Sequence, residues 1–199
     1  MIDEGYIKFR SRWERTDALD NPEIAGLIRW RKPLHTAGLI GHYADINIGY
    51  GNLSSRTPAA GQFVISGTQT GHLAELGTEH FALVTAFDVD TNTVISSGAA
   101  EPSSESMTHA TLYQLDEKIR AVVHIHNDDL WVRLKGQVPT TDPGVAYGTP
   151  AMAREFDRLL NQTDFGATGI AVMAGHDGGL ISTGSDIGEA AKKLLSLLQ

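Results

Sequence analysis

The segment Ala-Val-Val-His-Ile-His-Asn, residues 121–127, constrains this chain more than any other stretch. A strand with one wet face alternates polar and apolar residues, yet here three apolar residues precede His124 and a fourth separates it from His126. The run therefore reads as a short buried strand. Side chains two apart on a strand share a face, so both imidazoles can reach one point. Imidazole is a common metal ligand, which makes a divalent cation the candidate occupant. The plainer alternative is two polar side chains on an exposed sheet face, and a lone His-x-His motif is a weak signal. The apolar context favours the ligand reading.

A third ligand has to come from His or a carboxylate, because the sequence contains no cysteine. That absence also excludes a disulfide framework, a thiolate site and a cysteine nucleophile, and it suits a reducing compartment. Among the eight histidines, His176 is the best third candidate. It ends an apolar strand in Ala-Gly-His-Asp-Gly-Gly, where glycines permit close backbone approach. His35, His42, His72 and His80 read as surface or packing residues. His109 falls four residues after Glu105 on the same helix face, which suits a supporting or structural role. Glu105 opens that helix, where an acid is often only favoured by the helix dipole. A cation beside it changes the reading, since a neighbouring carboxylate can then carry protons while the metal stabilises an oxyanion. Ser103 and Ser104 offer hydroxyls and helix N-terminal N–H groups to an anionic substrate, or else simply cap the helix.

At 199 residues the chain fits one domain, residues 1–199, and nothing in it reads as a repeat or linker. A formal charge of −8 argues against a nucleic-acid partner. The opening MIDEGYIKFRSRWERTD lacks the apolar run of a secretory signal, and no segment reaches the roughly 20 apolar residues needed to span a bilayer. A cytoplasmic location and no membrane partner are expected. Asn21-Pro22-Glu23 starts a helix that Pro33 interrupts and Gly41 stops. Residues 49–57, GYGNLSSRT, read as a ligand-facing loop, and SGTQTG at 66–71 as a second polar turn. Phe63–Ile65 reads as a strand, and Phe81–Val89 with Thr93–Ile95 as a hairpin around Asp90-Thr91-Asn92. A helix over Ser103–Leu115, the strand at Ala121–His126 and a helix opening at Thr149-Pro150 follow. Strands at Gly169–Ala174 and Leu180–Ser182 flank a tight turn, and an amphipathic helix carrying Ile187, Ala190, Ala191, Leu194, Leu195 and Leu198 closes the chain.

Taken in order from Gly49 to about Gly184, these motifs resemble the class II aldolase/adducin family, which includes fuculose-phosphate aldolase and ribulose-phosphate 4-epimerase. The resemblance implies an α/β fold, a three-layer α/β/α sandwich with a mostly antiparallel central sheet. It makes Gly51 and Asn52 of Gly-Asn-Leu-Ser a phosphate loop, with Ser103 and Ser104 of Pro-Ser-Ser-Glu also on the phosphate. Ser66-Gly67 and Thr70-Gly71 are the alternatives for a further phosphate-contacting pair. It makes His124, His126 and His176 metal ligands, with Glu105 as metal neighbour and catalytic proton carrier. The implied cofactor is Zn2+, with Mn2+, Co2+, Ni2+ or Fe2+ also compatible with the ligand set. The implied reaction is aldolase-type cleavage of a small phosphorylated or anionic keto-sugar, a carbohydrate-metabolism lyase acting through an enediolate. An epimerase, a dehydratase and a non-catalytic adducin-like binding module are the alternatives, and Glu105 stands where the epimerases carry Asp. The family's enzymes commonly assemble as homotetramers. The stretch from His126 to Tyr147 is shorter than in the sugar-phosphate aldolases, so the tyrosine acid supplied there has no clear counterpart, Tyr113 and Tyr147 being the options.

Overall fold

The computed structural model describes residues 6–199, and the first five residues, which belong to the expected domain and to the opening stretch read for a signal, lie outside them. The first half contains β1 (Arg10–Arg15), α1 (Glu23–Thr36), β2 (Gly41–Tyr43), β3 (Ile48–Tyr50), β4 (Asn52–Arg56), β5 (Phe63–Ser66), β6 (Phe81–Asp88) and β7 (Thr93–Gly98). The second half contains α2 (Ser106–Leu115), β8 (Ala121–His126), α3 (Asp128–Leu134), α4 (Pro150–Gln162), α5 (Phe165–Thr168), β9 (Ile170–Val172), β10 (Gly179–Gly184) and α6 (Ile187–Ser196). Among the described residues, no helix is long and apolar enough to cross a membrane.

Eight strands form one sheet in the order β1-β7-β6-β5-β4-β8-β10-β9, and β2 pairs with β3 in a separate ribbon. The sheet is mixed. Its β1–β7 pair is parallel and the other pairs are antiparallel. β1 gives no hydrophobic signal in sequence, because Arg-Ser-Arg-Trp-Glu-Arg lies at the sheet edge with its charged side chains largely exposed.

Helices cover both faces of the sheet. On one face α2, α4 and α5 bury Met107, Phe156 and Phe165 against Phe63, Ile65, Val122 and Ile181. On the other, α1, α3 and α6 bury Leu27, Leu130 and Leu194 against Leu53, Val123, Ile125 and Leu180. β8 contributes to both clusters, Val122 to the first and Ala121, Val123 and Ile125 to the second. Covered on both sides, such a strand loses its polar alternation, which is why this run is apolar up to His124. The pleat also sends His124 and His126 toward the α2 face.

Several boundaries shift by a few residues, α2 beginning at Ser106 and β9 spanning only Ile170–Val172, and two segments depart further from expectation. α1 runs through Pro33 and ends at Thr36, with Gly38 at φ 69° turning the chain before Gly41 begins β2. Residues 49–57, expected as a loop, are mostly strand. Polar Ser54 is tolerated inside β4 because its hydroxyl lies 2.7 Å from both His109 Nδ1 and the Tyr113 hydroxyl, so composition alone misreads it.

Candidate metal centre

β8 places His124 and His126 two residues apart, and the turn between β9 and β10 returns His176 to meet them. His126 Nε2 lies 3.1 Å from His124 Nε2 and 3.1 Å from His176 Nε2. The three form a buried group whose ligand atoms fall within 4.8 Å of one another. Gly179 permits this approach, since a Cβ there would sit 2.7 Å from His176 Cδ2. Glu105, at the N-cap of α2 and 1% exposed, brings Oε1 to 3.6 Å from His176 Nε2.

Supporting contacts fix the rings. His124 Nδ1–H donates to the Leu180 carbonyl at 3.0 Å, which leaves the Nε2 lone pair aimed at the cluster. The Tyr43 hydroxyl lies 3.4 Å from His126 Nδ1, and the Tyr147 ring packs 4.3 Å from that of His176. Burial, then the neighbouring His126, holds both His124 and His176 well below the usual imidazole range, so they stay neutral and able to ligate. Nitrogen lone pairs crowded together are best satisfied by a shared cation. A tetrahedral Zn2+ with Zn–N of about 2.0–2.1 Å spaces its nitrogens about 3.3 Å apart, close to the separations here. The donor set of three buried imidazoles fits a divalent metal.

A polar recess borders this cluster, lined by Gly49, Gly51, Asn52, Gly67, Ser103 and Ser104 together with residues 68–71. It adjoins the imidazoles because Asn52 pairs with His124 across β4 and β8, while Ser104 precedes Glu105. The Asn52 side-chain oxygen is buried and has no hydrogen-bond partner among the described residues. Two backbone bonds join the walls, Thr68 N–H to the Glu101 carbonyl at 2.9 Å and Ser103 N–H to the Ser66 carbonyl at 3.2 Å. Ser66 thus ends β5 behind the recess, its hydroxyl accepting from Leu53 N–H at 3.3 Å, while Gly67, Thr70 and Gly71 line it directly.

Some expectations move. Tyr113 is buried away from the trio on Ser54, and the Tyr147 hydroxyl turns to the Tyr6 backbone, accepting from its N–H at 3.1 Å and donating to its carbonyl at 3.2 Å. Tyr43 was missed, since nothing local marks the short β2–β3 ribbon that carries it. His109 stays outside the trio. Burial keeps Tyr113 protonated; its hydroxyl lies 2.7 Å from the Ser54 hydroxyl, which lies 2.7 Å from His109 Nδ1, and buried His109 Nε2 has no partner among the described residues.

Burial pushes His109 from 6.5 down to about 3. The unfolded chain therefore binds the extra proton between those values, and stability falls as pH drops below about 6.5 while staying flat above. For His109 alone the loss is about 2 kcal/mol between about pH 6.5 and 5. In denaturant titrations of metal-free protein, His109→Gln should lose this part of the slope. An unchanged slope would contradict the buried neutral imidazole.

The chain matches the family model for the Class II Aldolase and Adducin N-terminal domain over residues 35–198, and it belongs to that family. A search of curated protein sequences finds no match. Among solved structures, L-fuculose-1-phosphate aldolase from Thermus thermophilus is 21% identical with a TM-score of 0.61, covering 87% of each chain. The sugar-phosphate aldolase from Thermotoga maritima is 15% identical with a TM-score of 0.63, over 87% of this chain and 91% of that one. YgbL from Klebsiella pneumoniae, whose description leaves aldolase, epimerase and decarboxylase open, is 20% identical with a TM-score of 0.64, over 88% and 84%. These likenesses establish the class II aldolase-like α/β fold.

Proposed function

We propose that this chain, as one domain over residues 1–199, is a metal-dependent aldolase-type lyase acting on a small phosphorylated or otherwise anionic keto-sugar. The observation that carries the reading is three buried imidazoles with a buried carboxylate 3.6 Å from one of them, beside a neutral polar recess. A protein using only the fold has no physical need to converge these groups. His124, His126 and His176, with Glu105 beside them, would hold the ion, and zinc suits imidazole ligands best, with Mn2+, Co2+, Ni2+ or Fe2+ as substitutes. When bound, the ion supplies Lewis-acid stabilisation of negative charge on a substrate carbonyl oxygen. Glu105 takes the proton from the carbon next to the carbonyl in the condensing direction and returns it to that carbon on cleavage. Asn52, Ser103, Ser104 and the Gly67–Gly71 backbone orient the anionic end of the substrate, so the bond to be broken lies near Glu105. Family membership supports a tetrameric assembly, and the missing cysteines support a cytoplasmic setting.

The test is to incubate zinc- or manganese-loaded protein with keto-pentose and keto-hexose phosphates and their unphosphorylated sugars, following products by NMR. Release of an aldehyde and a shorter ketose is expected. Inversion of a carbinol without cleavage would reassign the protein as an epimerase, and loss of water as a dehydratase. Metal-loaded protein inert toward the whole panel would favour a binding module of the adducin kind.

A further inference from the structure

Arg31 is a buried cation with no carboxylate partner among the described residues. It is 2% exposed, and its guanidinium donates to three backbone carbonyls: Thr70 at 3.0 Å, Gly71 at 3.3 Å and Ala74 at 3.4 Å. Glu75, the acid adjoining these carbonyls, pairs at the surface with Lys32 at 3.2 Å. Desolvation alone acts on the guanidinium and draws it down to about 10, still charged at neutral pH. An ion buried without a counter-ion is expensive, so this charge needs compensation from somewhere.

Two of the three acceptor residues, Thr70 and Gly71, line the polar recess, and no residue lining it has a charged side chain. The guanidinium therefore sits one backbone thickness behind a neutral cradle. A trans peptide points its C=O and N–H in opposite directions, so turning the Thr70 carbonyl toward Arg31 aims the Gly71 N–H away from it. The Gly71 nitrogen also lies close to Gly49, another residue of the recess: a Cβ on Gly49 would meet it at 3.0 Å. A cation on the carbonyl also polarises the peptide and strengthens its N–H as a donor.

We propose that Arg31 determines the anion selectivity of this recess, supplying from behind the loop the positive charge that favours a phosphate monoester over an uncharged sugar terminus. This rests on the reading of the recess as the substrate's anion subsite. Arg31 touches no substrate in this account and acts as a positioning residue through the Thr70–Ala74 backbone.

The test titrates inorganic phosphate into isotope-labelled, metal-loaded protein, with the Gly67 and Gly71 amide signals reporting the recess. The parent should shift these signals with an affinity that weakens as NaCl is raised. Arg31→Met should bind about tenfold more weakly and with a shallower salt dependence than the parent, because one nearby charge is removed, while keeping its metal. Arg31→Lys should retain most of the affinity. Equal losses in both variants with the salt dependence intact would reduce Arg31 to a loop pin and overturn the proposal. Parental phosphate binding in Arg31→Met would overturn it while leaving the anion subsite standing. A parent whose signals do not move would remove the subsite and the proposal together. If Arg31→Met does not fold, the parent's salt dependence and the Arg31→Lys affinity decide, and either one failing overturns the assignment.

Discussion

Replacing His126 by alanine should give a folded protein that purifies without its metal. His126 is the middle member of the cluster, since its Nε2 makes both 3.1 Å approaches to the other two imidazoles. Removing it leaves two nitrogens, one from within β8 and one from the turn between β9 and β10. The loss should exceed the 10- to 100-fold drop in metal affinity that follows loss of a mere supporting contact. The fold should survive, because β8 keeps its backbone pairing with β4 and β10 and its apolar residues stay packed on both faces. The ion's contribution to stability should vanish with it. A parent holding metal at about 100 times its Kd gains about 2.7 kcal/mol, and the variant's Tm should stop responding to added zinc. Measured metal content and zinc-dependent Tm equal to the parent's would show that the three imidazoles do not form the site.

Glu105→Gln should retain metal yet lower turnover by about 10²- to 10⁴-fold on whatever keto-sugar the parent cleaves. The amide keeps the volume of a side chain that is 1% exposed, and the three imidazoles are untouched, so the change is chiefly in proton-carrying capacity. A steady-state assay with metal content measured on the same preparation separates the outcomes. Lost turnover with retained metal identifies the proton carrier. Parental turnover with retained metal removes Glu105 from that role.

The groups of the centre were legible because each left a local signature. His124 and His126 stand out in an apolar run, His176 sits in a glycine-rich turn, and Glu105 follows two serines at a helix start. The strand at 121–126 and the hairpin of β6 and β7 fall where periodicity and the Asp-Thr-Asn turn place them. What escaped depends on contacts between distant segments. β1 holds its place through parallel pairing with β7, some eighty residues away, and its charged edge sequence carries no period-2 apolar pattern. The ribbon that brings Tyr43 to His126 has strands of three residues each, too short to show a period. α3 follows β8 within two residues, capped by Asn127, whose side chain accepts from Leu130 N–H at 2.8 Å, and its 7 residues are too few to show a helical period. Arg31 carries no signal of burial in its own helix, because only the returning 70–74 segment supplies the carbonyls that let it be buried.

Elemental mass spectrometry of untagged protein, with parent and His176→Ala side by side, decides whether the three imidazoles hold a metal ion. Near-stoichiometric divalent metal is expected in the parent and a sharp fall in the variant, whose turn would no longer bring a third imidazole to the end of β8. A parent that carries no metal and fails to take up added zinc or manganese, or a variant that keeps the parent's full content, would contradict it.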